Sequence, residues 1–193
     1  MDEIFLKNRE VGVGLALLFL TLSACSSKTS LTEQDLFFTQ LTTLCGNLFE
    51  GQSTFPEAED HPLVGTLLRT EVNECSESMV RIELIRDGDY WHGAWVIEKR
   101  PEGLHLFHDH LGEKRTMEDL GEDDYHGYGG YANLNGTSNG QFFEADAYTA
   151  ELIPAAATNV WRIEIGEDGK SFVYGLERNQ QPRFSAEFSL IDE

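Results

Sequence analysis

The feature that most constrains this chain is an alternation of apolar and polar residues in many short segments that tight turns separate. Val80, Ile82 and Leu84 alternate with charged or polar neighbours, which is the period of a strand that buries one face. Pairs such as Asp168-Gly169 are typical of hairpin turns. Helical patterns do not alternate with the strands, as a parallel sheet would require. The sequence therefore predicts a mainly β fold, a single antiparallel barrel or a sandwich.

One short helix is predicted ahead of the strands. Ser30 and Glu33 have the spacing of a capping box. Phe37, Leu41 and Leu44 follow at the spacing of one helix face. The main predicted strand segments are 63–72, 78–86, 90–99, 104–110, 141–147, 159–166, 170–178 and 183–191. Roughly eight to ten short strands and one helix fit a single domain.

An uncharged apolar run over residues 11–22 leads into Leu22-Ser23-Ala24-Cys25. The run is too short to cross a bilayer core as a helix, which takes about 20 residues, but it has the length of the apolar segment of a signal peptide. The four residues at its end resemble the lipobox of bacterial lipoproteins. The alternative is an uncleaved N-terminal helix in which the cysteine is incidental.

The lipobox resemblance implies how the chain is divided and where it is located. Residues 1–24 would be a cleaved signal peptide, Cys25 the acylated residue that anchors the protein in the lipid bilayer, 25–34 a flexible tether and 35–193 a β-rich domain. In bacterial lipoproteins an aspartate after the cysteine retains the protein at the inner membrane. Ser26 stands at that position. We therefore expect a lipid-anchored outer-membrane protein that faces the periplasm or the cell surface.

Charge, cysteines and missing motifs narrow the classes of partner and chemistry. The formal net charge of −20 repels phosphates, so we expect no nucleic acid partner. With Cys25 acylated, Cys45 and Cys75 can form a single disulfide in an exported chain, and two separately buried thiols are the alternative. The sequence contains no GxSxG, P-loop or dinucleotide-binding motif that would indicate hydrolase or nucleotide chemistry.

Residues 46–51, directly after the predicted helix, read Gly-Asn-Leu-Phe-Glu-Gly. An N-terminal helical segment that runs into a Gly-x-Trp first strand is typical of the calycin group of lipocalin-like barrels. This segment resembles that pattern, with Phe49 in place of the tryptophan. The resemblance implies a lipocalin-like barrel.

Several short motifs spread over most of the remaining chain are those of one protein family. They are Cys45-Gly46, Phe49-Glu50-Gly51, Gly103-Leu104, His108-Asp109-His110, Tyr128-Gly129-Gly130, Phe143-Glu144-Ala145-Asp146, Asn159-Val160-Trp161 and Arg183-Phe184. In this arrangement the chain is similar to a family of uncharacterised secreted bacterial proteins with a His-Asp-His motif. In that family another histidine and an Asp-Gly pair follow the motif, whereas residues 111–115 here read LGEKR. The resemblance brings no established activity.

The His-Asp-His motif lies at the end of a predicted strand. Alternation places His108 and His110 on one face with Leu104 and Leu106, and Asp109 on the opposite face. Because the two leucines indicate the buried face, we expect both histidines to point into the barrel. Buried imidazoles need partners, so each would be a ligand or a hydrogen-bonded group near the barrel mouth.

A metal or haem site is the functional interpretation of these histidines. Two histidines at i and i+2 on one strand face can both bind a divalent metal or haem iron, and His92, one hairpin away, is a candidate third ligand. Asp109 and Asp124 are candidates for groups that support the ligands or act as a base. In the alternative, His108 and His110 form hydrogen bonds with the backbone or with Asp124.

The acidic loop and the aromatic residues have simpler explanations than ligand binding. A polar loop is predicted over 113–128, and its acidic part, 118–124, lacks the spacing of an EF-hand. A solvated charged loop is the first interpretation, and calcium binding is the alternative. We expect the following aromatic side chains to fill the core rather than to form a ligand box: Trp91, Trp95, Phe142, Phe143, Trp161, Phe172, Tyr174, Phe184 and Phe188.

These features predict a membrane-anchored envelope lipoprotein whose domain binds a small ligand or an envelope protein and is not an enzyme. One alternative is a metal-dependent enzyme with His108 and His110 as ligands, and another is a purely structural envelope component. An interior cavity would favour ligand binding, and a stoichiometric metal would favour the enzyme. A fully packed barrel would favour the structural component.

Overall fold

The computed structural model describes residues 30–56, 63–112 and 126–191, and the described residues from Leu31 onward belong to one compact unit. The predicted signal peptide 1–24, Cys25 and residues 26–29 of the predicted tether lie outside the described residues. Asp124 and the acidic run 118–124 lie outside them as well. The structure therefore bears on the β-rich domain alone.

Ten strands in the described ranges form one closed antiparallel barrel, in which each strand pairs with its neighbours in sequence and the last pairs with the first. The strands are β1 (Leu48–Phe55), β2 (Leu68–Cys75), β3 (Met79–Arg86), β4 (Tyr90–Arg100), β5 (Gly103–Asp109), β6 (Gly127–Ala132), β7 (Gly140–Ala145), β8 (Asn159–Ile165), β9 (Ser171–Arg178) and β10 (Gln181–Leu190). The prediction of a mainly β, lipocalin-like barrel is confirmed, and the sandwich alternative is wrong.

Two short α-helices accompany the barrel in the described part of the chain: α1 (Glu33–Thr43) and α2 (Ala147–Leu152). Neither these nor any other helix among the described residues is long and apolar enough to span a membrane. α1 begins two residues before the predicted domain boundary at residue 35. Its helical start belongs to the segment that the sequence assigned to the tether.

The N-terminal cap of α1 lies two residues later than predicted. Thr32, not Ser30, is the cap residue: its Oγ1 accepts a hydrogen bond from Asp35 N at 3.1 Å, and its own N donates to Asp35 Oδ2 at 3.0 Å. Thr32 and Asp35 thus form the reciprocal pair that Ser30 and Glu33 were expected to form. A carboxylate in the first turn is also favoured by the helix dipole.

α1 lies across one end of the barrel. Gln34 Oε1 accepts a hydrogen bond from Leu104 N at 2.9 Å, and Gln34 Nε2 donates to Ala132 O at 3.3 Å. Lys99 Nζ lies 4.4 Å from the centre of the Phe38 ring. Leu104 is the second residue of β5 and Ala132 is the last of β6, so these contacts all belong to the same end. The helix closes that end with its own apolar face, which consists of Phe37, Phe38 and Leu41.

The predicted disulfide is confirmed. Cys45 and Cys75 are bonded with their Cα atoms 6.3 Å apart, which is within the range of ordinary disulfides. Beside this bond, Gly46 N donates to Val72 O at 2.7 Å. The bond therefore attaches the segment that follows α1 to the end of β2.

We expect that replacing both cysteines, Cys45→Ala with Cys75→Ala, lowers the free energy of unfolding by about 3 to 4 kcal/mol, because the unfolded chain regains the entropy of an open loop of 30 residues. Urea unfolding followed by tryptophan fluorescence measures this difference. Wild-type protein in reductant is the matched control and should unfold at the same urea concentration as the double variant. Two titratable thiols in protein purified without reductant would contradict the pairing.

β6 was not among the predicted strands, and its first two residues fall within the predicted loop 113–128. Three of its six residues are Gly127, Gly129 and Gly130, and glycine lowers strand propensity. The glycines have a spatial reason. A Cβ atom at Gly129 would lie 1.9 Å from Leu106 O, and one at Gly130 would lie 1.8 Å from Glu144 O. The backbones of β5 and β7 approach β6 too closely for side chains at these positions.

α2 is the second element that the sequence analysis did not predict. Asp146 caps it, since Asp146 Oδ1 accepts a hydrogen bond from Thr149 N at 2.8 Å. Thr149 Oγ1 then accepts from Gly129 N at 2.8 Å and donates to Gly129 O at 2.7 Å. One threonine therefore docks α2 on the outer face of β6, where no side chain stands in the way.

Most of the predicted aromatic core is in place. Phe172 stacks on Phe188 with ring centroids 4.6 Å apart, and Phe49 meets Phe172 edge-on at 5.2 Å. Trp91 and Phe142 are exceptions, because both are only half-buried and point outward. Trp91 is on the outside because its indole N–H donates a hydrogen bond to Glu83 on the neighbouring strand.

Candidate functional site

A cavity of about 170 Å³ occupies the barrel interior at the end away from α1. Its position follows from strand direction, because β5 starts beside α1 at Leu104 and carries its last residues, with His110 just beyond, to the far end. We call this cavity the histidine pocket and define it by seven of the residues that line it: His92, His108, His110, Trp95, Tyr128, Trp161 and Tyr174. Leucines and Phe184 complete its wall.

His108 and His110 both face the interior, on the side of β5 that alternation assigned to them. Their ring centroids lie 4.3 Å apart, and the ring of Tyr128 lies 5.6 Å from His108 and 5.0 Å from His110. His108 pairs with Trp95 across β4 and β5. Only 8% of His108 is exposed. The two imidazoles are therefore part of the pocket wall and not surface groups.

His92 also lines the pocket, for a reason that simple alternation does not provide. Counting from the inward-facing Trp95 would place residue 92 on the outer face. The pairing of β3 with β4 shifts, however: Leu84 pairs with Gly93, whereas Ile85 pairs with Trp91. His92 is the extra residue of a β-bulge, and a bulge turns a side chain away from its regular direction.

Gly93 makes room for His108. A Cβ atom at Gly93 would lie 3.2 Å from His108 Nε2 and 3.0 Å from Asp109 O, closer than an ordinary van der Waals contact. A glycine within a strand is the one sequence signal that could have indicated both the bulge and the close approach of another group.

The imidazole of His108 is buried without a partner. Neither Nδ1 nor Nε2 has a hydrogen-bond partner among the described residues. Burial lowers the pKa of His108 well below its ordinary value, and the neighbouring His110 and His92 lower it further. His108 is therefore neutral at physiological pH, so that one ring nitrogen donates and the other accepts a hydrogen bond.

Tryptophan and tyrosine side chains form another part of the pocket wall. Trp95 stacks on Tyr174 with ring centroids 4.2 Å apart, and Tyr128 lies 5.8 Å from Trp161. Trp161 is fully buried, and its Nε1 has no hydrogen-bond partner within the described ranges. Burial raises the pKa of the Tyr174 hydroxyl, which stays protonated. Trp95, Trp161 and Tyr174 were expected to be core residues, and they are core residues that also line the pocket.

Asp109 lies on the outer face of β5, away from the histidine pocket. Its Oδ2 accepts a hydrogen bond from Arg81 Nη2 at 2.9 Å, and its Oδ1 accepts from Leu111 N at 2.9 Å and Gly112 N at 3.1 Å. Burial raises the pKa of Asp109, but the two amides and the guanidinium together hold it below its ordinary value. Asp109 stabilises the segment that follows β5. It lies on the face of the strand opposite to the one that carries the pocket imidazoles.

We expect Asp109→Asn to lower the free energy of unfolding at pH 7 by about 2 to 4 kcal/mol, because it removes one partner of a buried ion pair. The pKa of Asp109 is lower in the folded protein, so its contribution is complete above the unfolded pKa of about 3.9 and is lost as pH falls through the folded pKa. Urea unfolding of the wild type and of Asp109→Asn from pH 7 down to pH 3 measures whether the two free energies of unfolding approach each other as the pH falls.

Glu98→Gln is the control for this prediction, because Glu98 pairs with Arg100 where both side chains are 36% exposed. An exposed pair contributes at most about 1 kcal/mol. An Asp109→Asn variant as stable as Glu98→Gln at pH 7 would contradict the role assigned to Asp109.

His105 is also on the outer face, and it serves α2. Its Nε2 lies 3.0 Å from Asp146 Oδ2, and its ring lies 4.6 Å from that of Tyr131. Burial lowers the pKa of His105, against the opposing effect of Asp146. Asp146 thus holds both the first turn of α2 and the buried imidazole beneath it. The structure places this pair outside the histidine pocket.

The arrangement of the pocket residues bears on whether the pocket holds a metal ion or haem. The structure brings His92, His108 and His110 to one pocket, but within the described ranges no three His, Cys, Asp or Glu residues are arranged to hold a metal ion. Asp109 is on the opposite face of β5, and Asp124 lies outside the described residues. As described, the pocket is an aromatic cavity with three imidazoles in its wall.

Comparison with known proteins adds no relative to this description. No protein-family model matches the chain, and no curated protein matches it. The resemblances drawn from the sequence therefore remain predictions, and function has to be argued from the histidine pocket.

Proposed function

We propose that this protein is an outer-membrane lipoprotein, anchored through acylated Cys25, whose barrel binds a small ligand in the histidine pocket. The sequence supports the anchor: an apolar run over 11–22 ends in the lipobox-like Leu22-Ser23-Ala24-Cys25. Stable anchoring by lipid takes more than one acyl chain, and a triacylated cysteine meets that requirement.

The observation that carries the binding function is the buried imidazole of His108 in the wall of an open cavity. A buried polar group without a partner costs about 1 to 3 kcal/mol of stability. Both ring nitrogens of His108 are in that condition among the described residues. Groups that weaken the fold in this way are concentrated at functional sites, and a ligand in the cavity would supply the missing partner.

The size of the cavity limits the ligand. An apolar cavity of about 150 Å³ is sufficient for a molecule of the size of benzene, and the histidine pocket has about 170 Å³. The apolar core between α1 and Trp95 is filled by phenylalanines, so the space does not extend through the barrel. We expect a ligand of one ring, not an acyl chain or a haem.

A metal-dependent enzyme is the second candidate function, and one observation favours it: three histidines reach the same pocket. A metal would have to draw the rings into a geometry in which three donors lie about 2.0 to 2.1 Å from the ion. A stoichiometric metal in the purified protein is what this function requires. An interaction with an envelope protein, or a purely structural role, needs no occupant of the pocket.

Ligand binding is tested by histidine-labelled NMR of the full-length protein during titration with a set of one-ring compounds. We expect at least one compound to shift the imidazole signals of His108 in a saturable way, because its ring lines the cavity. His126, which is exposed outside the barrel, is the internal control and should not respond. The binding function is excluded when no compound moves His108 in a protein that remains folded.

The anchor is tested by Cys25→Ser. We expect the variant either to keep residues 1–24 or to leave the membrane fraction, because serine cannot receive the acyl chains that hold the protein there. Fractionation and intact mass measure both outcomes. Ser26→Ala, which leaves the cysteine in place, is the matched control. A Cys25→Ser protein that is still processed and extracted only by detergent would show that the anchor is something else.

A further inference from the structure

We propose that the ligand of the histidine pocket is a small, uncharged, planar molecule with a hydroxyl group, the chemistry of a phenol. This inference rests on the proposed binding function and names the class of ligand that the same pocket takes. It depends on three properties of the described lining: its lack of fixed charge, the unpaired hydrogen-bonding groups of His108 and Trp161, and its aromatic rings.

The lining of the pocket excludes a fixed charge on the ligand. Of the described residues that line it, none has a carboxylate, ammonium or guanidinium group. An ion that enters this site would lose its hydration without gaining a counter-charge, which is strongly unfavourable. The net charge of −20 opposes anions further.

The unpaired hydrogen-bonding groups of the pocket require an oxygen atom on the ligand. The indole of Trp161 can only donate a hydrogen bond, and the neutral imidazole of His108 donates one and accepts one. These atoms are buried and have no hydrogen-bond partner among the described residues. A hydroxyl oxygen can accept from an N–H and donate to the imidazole at once, whereas a hydrocarbon of the same shape leaves both groups unsatisfied.

The walls favour a ring. Trp95 and Tyr174 stack on each other with ring centroids 4.2 Å apart and both line the pocket, and the Trp95 ring lies 6.2 Å from that of His108. The rings of His110 and Tyr128 are 5.0 Å apart on another side. Aromatic side chains pack best against another ring in stacked or edge-on contact.

A quaternary ammonium ion is the strongest competitor, because aromatic boxes bind such ions through the faces of their rings. Attraction to an acidic protein would assist it. The positive ends of N–H groups would face the ion, however, and the unpaired Trp161 and His108 N–H groups would remain without an acceptor. The pocket chemistry therefore favours the oxygen-bearing ring, and the ammonium ion becomes an outcome of the test.

Four probes of similar size separate these classes: phenol, toluene, benzoate and tetramethylammonium. Each is titrated into the purified full-length protein, with calorimetry for affinity and the His108 imidazole NMR signals for location. We expect phenol to bind at least tenfold more tightly than each of the others. His108→Phe keeps a ring and removes both nitrogens. It should therefore weaken the affinity for phenol at least tenfold and change the affinity for toluene less than threefold.

Two further variants complete the experiment. His126→Phe removes an exposed histidine outside the pocket and should leave the affinity for phenol unchanged. Trp161→Phe removes the indole donor but keeps a ring. It should weaken the affinity for phenol at least threefold and leave the affinity for toluene nearly unchanged. It supplies the same comparison should His108→Phe fail to fold.

The outcomes separate the ligand class from the binding function. Equal affinity for phenol and toluene, or tighter binding of benzoate or tetramethylammonium at His108, overturns the proposed class and leaves ligand binding intact. Stoichiometric zinc that blocks phenol overturns the class in favour of the metal site. If no probe and no other one-ring compound moves the His108 signals, the binding function fails together with the class.

Discussion

Closure of the sheet determines where the side chains of this protein can lie. Because β1 pairs with β10, the described strands leave no open edge, and each strand sends alternate residues into one shared interior. α1 fills a single end of that interior with Phe37, Phe38 and Leu41. Apolar rings therefore collect next to the helix, and the inward polar groups collect at the opposite end. The histidine pocket lies at the end of the barrel interior that α1 does not fill.

The regular part of this arrangement could be predicted from the sequence. Alternation was sufficient to predict a mainly β antiparallel fold, although it left the barrel and the sandwich as alternatives. It also placed His108 and His110 inside and Asp109 outside, because β5 keeps its period to the end. The same rule fails for His92. A bulge in the pairing of β3 with β4 reverses its direction, and the only local trace of that bulge is Gly93. Irregular pairing depends on the neighbouring strand, which one segment of sequence does not contain.

The elements that were not predicted depend on contacts between distant segments. β6 contains three glycines and has little strand propensity of its own, but it is paired on both sides by β5 and β7. α2 has six residues, too few to be stable alone, and it is held by Thr149 on Gly129 and by Asp146 on His105. Tertiary structure supplies what local propensity lacks, and Tyr128 reaches the pocket only because β6 exists.

Buried polar groups on the two faces of β5 differ in whether they have hydrogen-bond partners. This difference is the strongest argument within the structure for a binding site. On the outer face, Asp109 receives a guanidinium and two amides, and His105 lies beside Asp146. On the inner face, His108 lies between these two residues in sequence and receives no hydrogen bond from the described residues. Both faces are buried, so burial cannot explain the difference. The fold pairs Asp109 and His105, which hold its outer elements in place, and leaves the imidazole of His108 without a hydrogen-bond partner among the described residues, on the side that faces the cavity where a small molecule could supply one.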